Sequence, residues 1–158
     1  MKHESAPAFQ VERLAVYSEE DAAGIGSLMP FLSARLSDEP MSEAVLRTIV
    51  ESPDRAQLVA RMNARIVGAA TLNMVIGPAV GRIGVLEDFV THPDVRGHGV
   101  GDALWNEMLV WCREQGVDMR FTSNDTREGA HSFYEQRGAI KKETKPFFVP
   151  VVTREPHA

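Results

Sequence analysis

Residues 9–17 (FQVERLAVY) carry a partial alternation of apolar and polar positions that predicts a first strand. Ser18 followed by Glu19, Glu20 and Asp21 offers a helix cap with acids in the first turn, and Ile25, Leu28, Met29, Leu32 and Leu36 then recur at helical steps. Gly24, Gly26 and Pro30 interrupt that run, which predicts one broken helix or two short ones ending before Pro40. Residues 42–50 form a second short helix, capped by Ser42. Residues 57–62 (QLVARM) and 65–76 (RIVGAATLNMVI) are β-rich runs joined by Asn63-Ala64, a hairpin pattern, and residues 82–91 add a third strand after a Gly77–Gly81 loop. Next, Val100, Leu104, Met108 and Trp111 mark one face of a helix that Gly116 stops. A strand over 117–123 and a helix over 127–137 follow, the latter with Ala130, Phe133, Tyr134 and Arg137 on one side. Residues 139–152 read as extended, with Pro146 and Pro150 favouring a sheet edge. Three adjacent strands followed by strand, turn, helix and strand predict an α/β fold: a mixed, mostly antiparallel sheet with one parallel βαβ crossover.

At 158 residues the chain is long enough for one core, so a single domain is expected over 9–152, between a leader over 1–8 and a tail over 153–158. No apolar window reaches membrane-spanning length, Lys2 has no long apolar run behind it, and the single Cys112 cannot close an internal disulfide; the expectation is a cytoplasmic protein. A net charge of −5 argues against nucleic acid, although local arginines can still grip one small anion.

The chemistry concentrates in residues 84–104 (GVLEDFVTHPDVRGHGVGDAL), where an apolar strand meets a glycine-rich turn and a helix start. Such a turn directs N–H groups and a positive helix end at one spot, an arrangement that suits phosphate. Gly101 is followed by Asp102-Ala103 rather than Lys-Ser or Lys-Thr, so the P-loop fails, and the spacing G-x-G-x-G-x breaks the dinucleotide fingerprint. A turn that merely needs glycines remains the alternative; Arg96, a fixed cation beside the turn, favours an anion site. His92 and His98 lack the spacing of a metal site, so no metal is expected. Cys112 reads as an inert core thiol, His131 as a solvated helix residue, and Trp105 and Trp111 as core or interface anchors; a homodimer is compatible with this pattern.

The run from Val90 to Leu104 (VTHPDVRGHGVGDAL) resembles the acyl-CoA signature of the GNAT superfamily of N-acetyltransferases, and residues 130–138 (AHSFYEQRG) sit where that family has them. The resemblance is specific over 82–138 and covers 1–81 only in element order. It implies a V-shaped splay between the fourth and fifth strands, with the cosubstrate acetyl-CoA in the gap. Arg96, Gly97, His98, Gly99, Val100 and Gly101 would hold the CoA pyrophosphate, His98 and Val100 mainly through their backbone. Phe89, Val90 and Thr91 would offer strand-like backbone bonds to the pantetheine arm. Gly84 is consistent with a bulge, a close approach or a weak spot.

Acetyl transfer to an amine needs a base for the amine and an acid for the departing thiolate. Tyr134 resembles the family tyrosine near the cofactor sulfur and takes the acid role; a half-buried core tyrosine is the alternative. Glu87-Asp88 interrupts the apolar strand, and strand alternation would send the two to opposite faces. The pair resembles the Glu-Asp of hexosamine-phosphate acetyltransferases. Glu87, acting through water, is the preferred base, against a reading in which both carboxylates pair with Arg82, Arg120 or backbone. Many members place Asn where this chain has Arg127, while Asn124 lies just upstream; either is placed to assist at pantetheine. The family's usual Gly-Phe is Gly138-Ala139 here. The implied function is acetyl-CoA-dependent transfer to the primary amine of a small molecule or peptide, with a non-catalytic acyl-CoA-binding module as the alternative. The acidity of the chain suits a cationic acceptor such as a polyamine, an aminoglycoside or a basic peptide.

Overall fold

The computed structural model describes residues 8–124 and 127–152; the expected leader, Ala8 apart, and the expected tail over 153–158 lie outside them. The chain divides into two compact units, Met1–Phe121 and Thr122–Ala158. The first contains β1 (Phe9–Arg13), α1 (Glu19–Leu32), α2 (Glu43–Val50), β2 (Arg55–Met62), β3 (Arg65–Gly77), β4 (Gly81–Thr91), a single 3-10 turn (Pro93–Val95), α3 (Val100–Gln115) and β5 (Met119–Arg120). These strands form one sheet in the order β1-β2-β3-β4-β5, antiparallel except where β4 runs parallel to β5. It is the mixed sheet that the strand pattern predicts, with α3 as the parallel crossover.

Local chemistry accounts for most boundaries. Asn63 and Ala64 both take positive φ (51° and 64°), the geometry of a two-residue turn whose twist matches its flanking strands. The Ser18 hydroxyl accepts the Asp21 N–H at 3.0 Å and so starts α1. The helix runs unbroken through Pro30, which falls in its last turn. Gly26 has a packing reason: a Cβ there would lie 2.0 Å from the Glu39 carbonyl oxygen, and the same segment is tied to the helix by Met41 N–H to Ala22 O at 2.9 Å. Ser42 occupies the start of α2 but, contrary to expectation, its side chain caps nothing. Gly116 ends α3 in the left-handed conformation, φ 66°.

The sheet has an apolar layer on each face. Leu14, Ala22, Ile25, Leu28, Leu46, Val59, Ile66, Ala69 and Val90 form the core under α1 and α2. On the opposite face α3 lies so close that a Cβ on Gly68 would sit 2.8 Å from Leu104. Gly84 is likewise a close approach, not a bulge: its Cβ would meet the Trp111 ring at 3.1 Å.

The strand expected over 117–123 shrinks to two residues, and this shortening shapes the site. Gly84 pairs with Met119 and Val85 with Arg120, after which strand-to-strand pairing ends and β4 continues beside β3 alone. That divergence is the V-shaped splay.

The second unit holds α4 (Glu128–Gln136), which is followed by Gly138 at φ 86°. The edge strand expected over 139–152 does not form. Pro146 and Pro150 remove two ladder donors, and Phe147, Phe148, Val149, Val151 and Val152 are all exposed, so neither face of the segment is buried. Among the described residues no helix is long and apolar enough to cross a membrane.

Candidate functional site

The turn between β4 and α3 is built from its own hydrogen bonds. The His92 imidazole accepts the Asp94 N–H at 3.1 Å, Arg96 N–H donates to Pro93 O at 3.3 Å, and His98 N–H donates to Val95 O at 3.2 Å. Gly97 and Gly99 adopt φ of 81° and 84°, a conformation that side chains other than glycine's rarely accept. Gly99 is the N-cap of α3 and Val100, its first residue, is buried as an anchor. The N–H groups of Gly97, Gly99, Val100 and Gly101 meet no acceptor among the described residues. A Cβ at Gly97 or Gly99 would meet nothing within 4 Å, so space above the turn is open, and Arg96 is exposed beside it. Free donors, a helix N-terminus and a guanidinium together suit a phosphate-bearing ligand. The backbone N–H groups of Arg96 and His98, by contrast, are spent inside the turn.

Along β4, Val90 is buried in the α1 side of the core, which leaves only its backbone for a ligand, while Phe89 and Thr91 are half-buried. Between them and Leu86 the ladder slips. Ala69 faces Val90 and Thr71 faces Glu87, so β4 carries one more residue than β3 over this stretch. The extra residue centres on Asp88, at φ 52°, a position that Asp tolerates better than most residues. The simple alternation expected for Glu87 and Asp88 therefore does not hold: Asp88 belongs to the bulge, and Glu87 shares its face with Thr71 and Val90.

Both carboxylates touch water, yet the surrounding protein raises them above the ordinary carboxylate range. Partial desolvation is the main cause for Glu87, with the Asp88 charge adding to it, and desolvation acts alone for Asp88. Neither has a hydrogen-bonding or ion-pair partner among the described residues, so the pairing with Arg82 or Arg120 does not occur.

Little in the local sequence pattern distinguishes Gln57 and Thr71, yet among the described residues they are two of the three buried polar or charged side chains. The Gln57 Nε2 donates to Ala70 O at 3.1 Å and Leu58 O at 3.4 Å, and Thr71 Oγ1 donates to Gln57 Oε1 at 2.8 Å. Gln57 faces Thr71 across β2–β3, and Thr71 faces Glu87 across β3–β4. The available signal was a polar residue inside each of two apolar strands; their alignment depends on register.

In the second unit Tyr134 is buried, and burial pushes its phenol upward while Arg127 pulls it down. Its ring meets Phe133 edge-on at 5.8 Å. Asn124 and Arg127 are joined by a backbone bond, Arg127 N–H to Asn124 O at 3.0 Å, with Arg127 at the N-cap of α4. Among the described residues no three His, Cys, Asp or Glu side chains gather as a metal site. Cys112 is buried, and burial foremost pushes its thiol up, which fits an inert core residue.

Residues 26–139 match the model of the acetyltransferase (GNAT) family. The chain is 31% identical over 134 residues to the glucosamine 6-phosphate N-acetyltransferase of Trypanosoma brucei brucei, covering 79% of this chain and 86% of that one. Among solved structures, an aminoglycoside acetyltransferase from an uncultured soil metagenomic sample superposes with a TM-score of 0.75 at 16% identity, over 92% of this chain and 97% of its own. Glucosamine-6-phosphate N-acetyltransferase from Arabidopsis thaliana gives a TM-score of 0.72 at 17% identity, over 90% and 98% of the two chains. With a parted β4–β5 pair, an open glycine turn capping α3 and a family match over most of its length, this chain belongs to the GNAT family of acetyltransferases.

Proposed function

We propose that the chain transfers an acetyl group from acetyl-CoA to a primary amine by direct attack, with both substrates bound together. The observation that carries this reading is the set of free N–H groups at Gly97, Gly99, Val100 and Gly101 beside exposed Arg96, opening where β4 leaves β5. Those groups fit a pyrophosphate. Bound acetyl-CoA supplies an activated thioester. Phe89, Val90 and Thr91 align the pantetheine arm by their backbone, and Asn124 or Arg127 assists there. Glu87 accepts the proton of the attacking amine through a water, and Tyr134 gives a proton to the departing thiolate. A raised Tyr134 keeps that proton through the neutral range.

For the acceptor, the likeness to glucosamine 6-phosphate N-acetyltransferase makes that amino sugar phosphate the first candidate, and aminoglycosides the second. We also infer a homodimer. Phe147, Phe148 and Val151 are 93%, 83% and 85% exposed, and a second copy offers its β5 edge to such an extended apolar segment.

The test is CoA thiol release with glucosamine 6-phosphate, an aminoglycoside, spermidine and a basic peptide. One amine should raise release well above the rate without acceptor, and Tyr134→Phe should lower kcat without weakening acetyl-CoA binding. Acetyl-CoA binding with no release for any amine would favour the non-catalytic acyl-CoA-binding module instead.

A further inference from the structure

The buried pair Gln57–Thr71 has a fixed polarity. Two carbonyls, Ala70 O and Leu58 O, lie on the same amide atom of Gln57, so that atom must be the NH2 and the other must be the oxygen. Thr71 is therefore compelled to spend its only hydroxyl proton on Gln57 Oε1. What Thr71 offers elsewhere is lone pairs alone. The residue directly across the ladder from it is Glu87, on the same face of the sheet. Directly opposed residues have Cβ atoms about 5 Å apart, a span that one water with two hydrogen bonds bridges.

We propose that Gln57 and Thr71 are positioning residues that orient the water through which Glu87 works. An acceptor-only hydroxyl on one side and a carboxylate on the other both demand hydrogens, so a water between them donates both of its own. Its lone pairs then point outward, toward an incoming amine. The amine nitrogen bonds to the acetyl carbon as the carbon–sulfur bond breaks; the amine proton passes to the water while a water proton passes to Glu87, and the thiolate takes its proton from Tyr134. Gln57 has a second task in the same place. Its amide holds the Ala70 carbonyl where the β3–β4 register slips, the bulge that sets Glu87 and Asp88. The inference rests on Glu87 being the base.

The experiment follows the Glu87 carboxyl by NMR titration in the full chain and measures kinetics with glucosamine 6-phosphate. Thr71→Val, and the double variant Gln57→Leu/Thr71→Val that leaves no amide oxygen orphaned, should raise the Glu87 titration by about half a unit as the water is lost. Thr71→Ser should leave it in place. The valine variant should also lose on the order of tenfold in kcat, with little change in KM for acetyl-CoA, and the serine variant should recover it. An unmoved Glu87 titration in both variants overturns the positioning role. If the titration moves but Glu87→Gln keeps the acidic limb of the rate profile, the oriented water stands and only the assignment of Glu87 as base fails.

Discussion

At the scale of single residues, the two carboxylates of β4 carry a cost in stability, because their surroundings raise both. Asp88 occupies a left-handed bulge position and is held above its ordinary range by desolvation. A carboxylate whose folded pKa is raised adds stability below its unfolded pKa and loses that contribution as pH rises through the folded value. Charged Asp88 is therefore a cost near neutral pH. Asparagine also tolerates positive φ, so Asp88→Asn should raise Tm at about pH 7 and converge with the parent near about pH 3, where both states are largely protonated. Equal melting temperatures at both pH values would count against desolvation as the cause. The same substitution removes the Asp88 charge that adds to the raising of Glu87, so, with Glu87 as the proposed base, the acidic limb of activity should move to lower pH. Sequence alone locates Glu87-Asp88 as carboxylates in an apolar strand. Their relative orientation is decided by one inserted residue, which local alternation cannot reveal.

At the scale of elements, the turn between β4 and α3 was legible because its chemistry is local. Gly97 and Gly99 meet a dihedral requirement, Val100 anchors α3, and the donors that remain are those a helix start always leaves over. The turn makes a direct prediction in calorimetry: acetyl-CoA should raise Tm, by the equivalent of about 2.7 kcal/mol at a hundredfold excess over Kd, and Arg96→Glu should abolish the shift. No shift in the parent protein at millimolar acetyl-CoA would sink the assignment of this turn to CoA. The hairpin at Asn63-Ala64 and the stop at Gly116 were legible for the same reason, each being fixed by one or two backbone angles. The β5 length and the continuity of α1 were not. β5 ends where β4 leaves it, and α1 survives its glycines because Gly26 accepts the backbone of Glu39.

At the scale of the whole molecule, the segment after α4 is the main departure from expectation. Its apolar residues read as a strand, yet in the single chain they stand exposed. In a dimer formed through that segment, ending the chain after Lys145 should convert a dimeric mass in light scattering to a monomeric one, while leaving the acetyl-CoA thermal shift intact. A monomeric full chain would remove the segment's role. The sequence by itself determined the order of elements from β1 to α4, the anion-suited turn and the family, because periodicity, capping and glycine dihedrals act within a few residues. Tertiary structure alone decided the point where β4 parts from β5, the bulge at Asp88 and the row from Gln57 through Thr71 to Glu87. These depend on which residues face one another across strands, and a single extra residue resets that pairing.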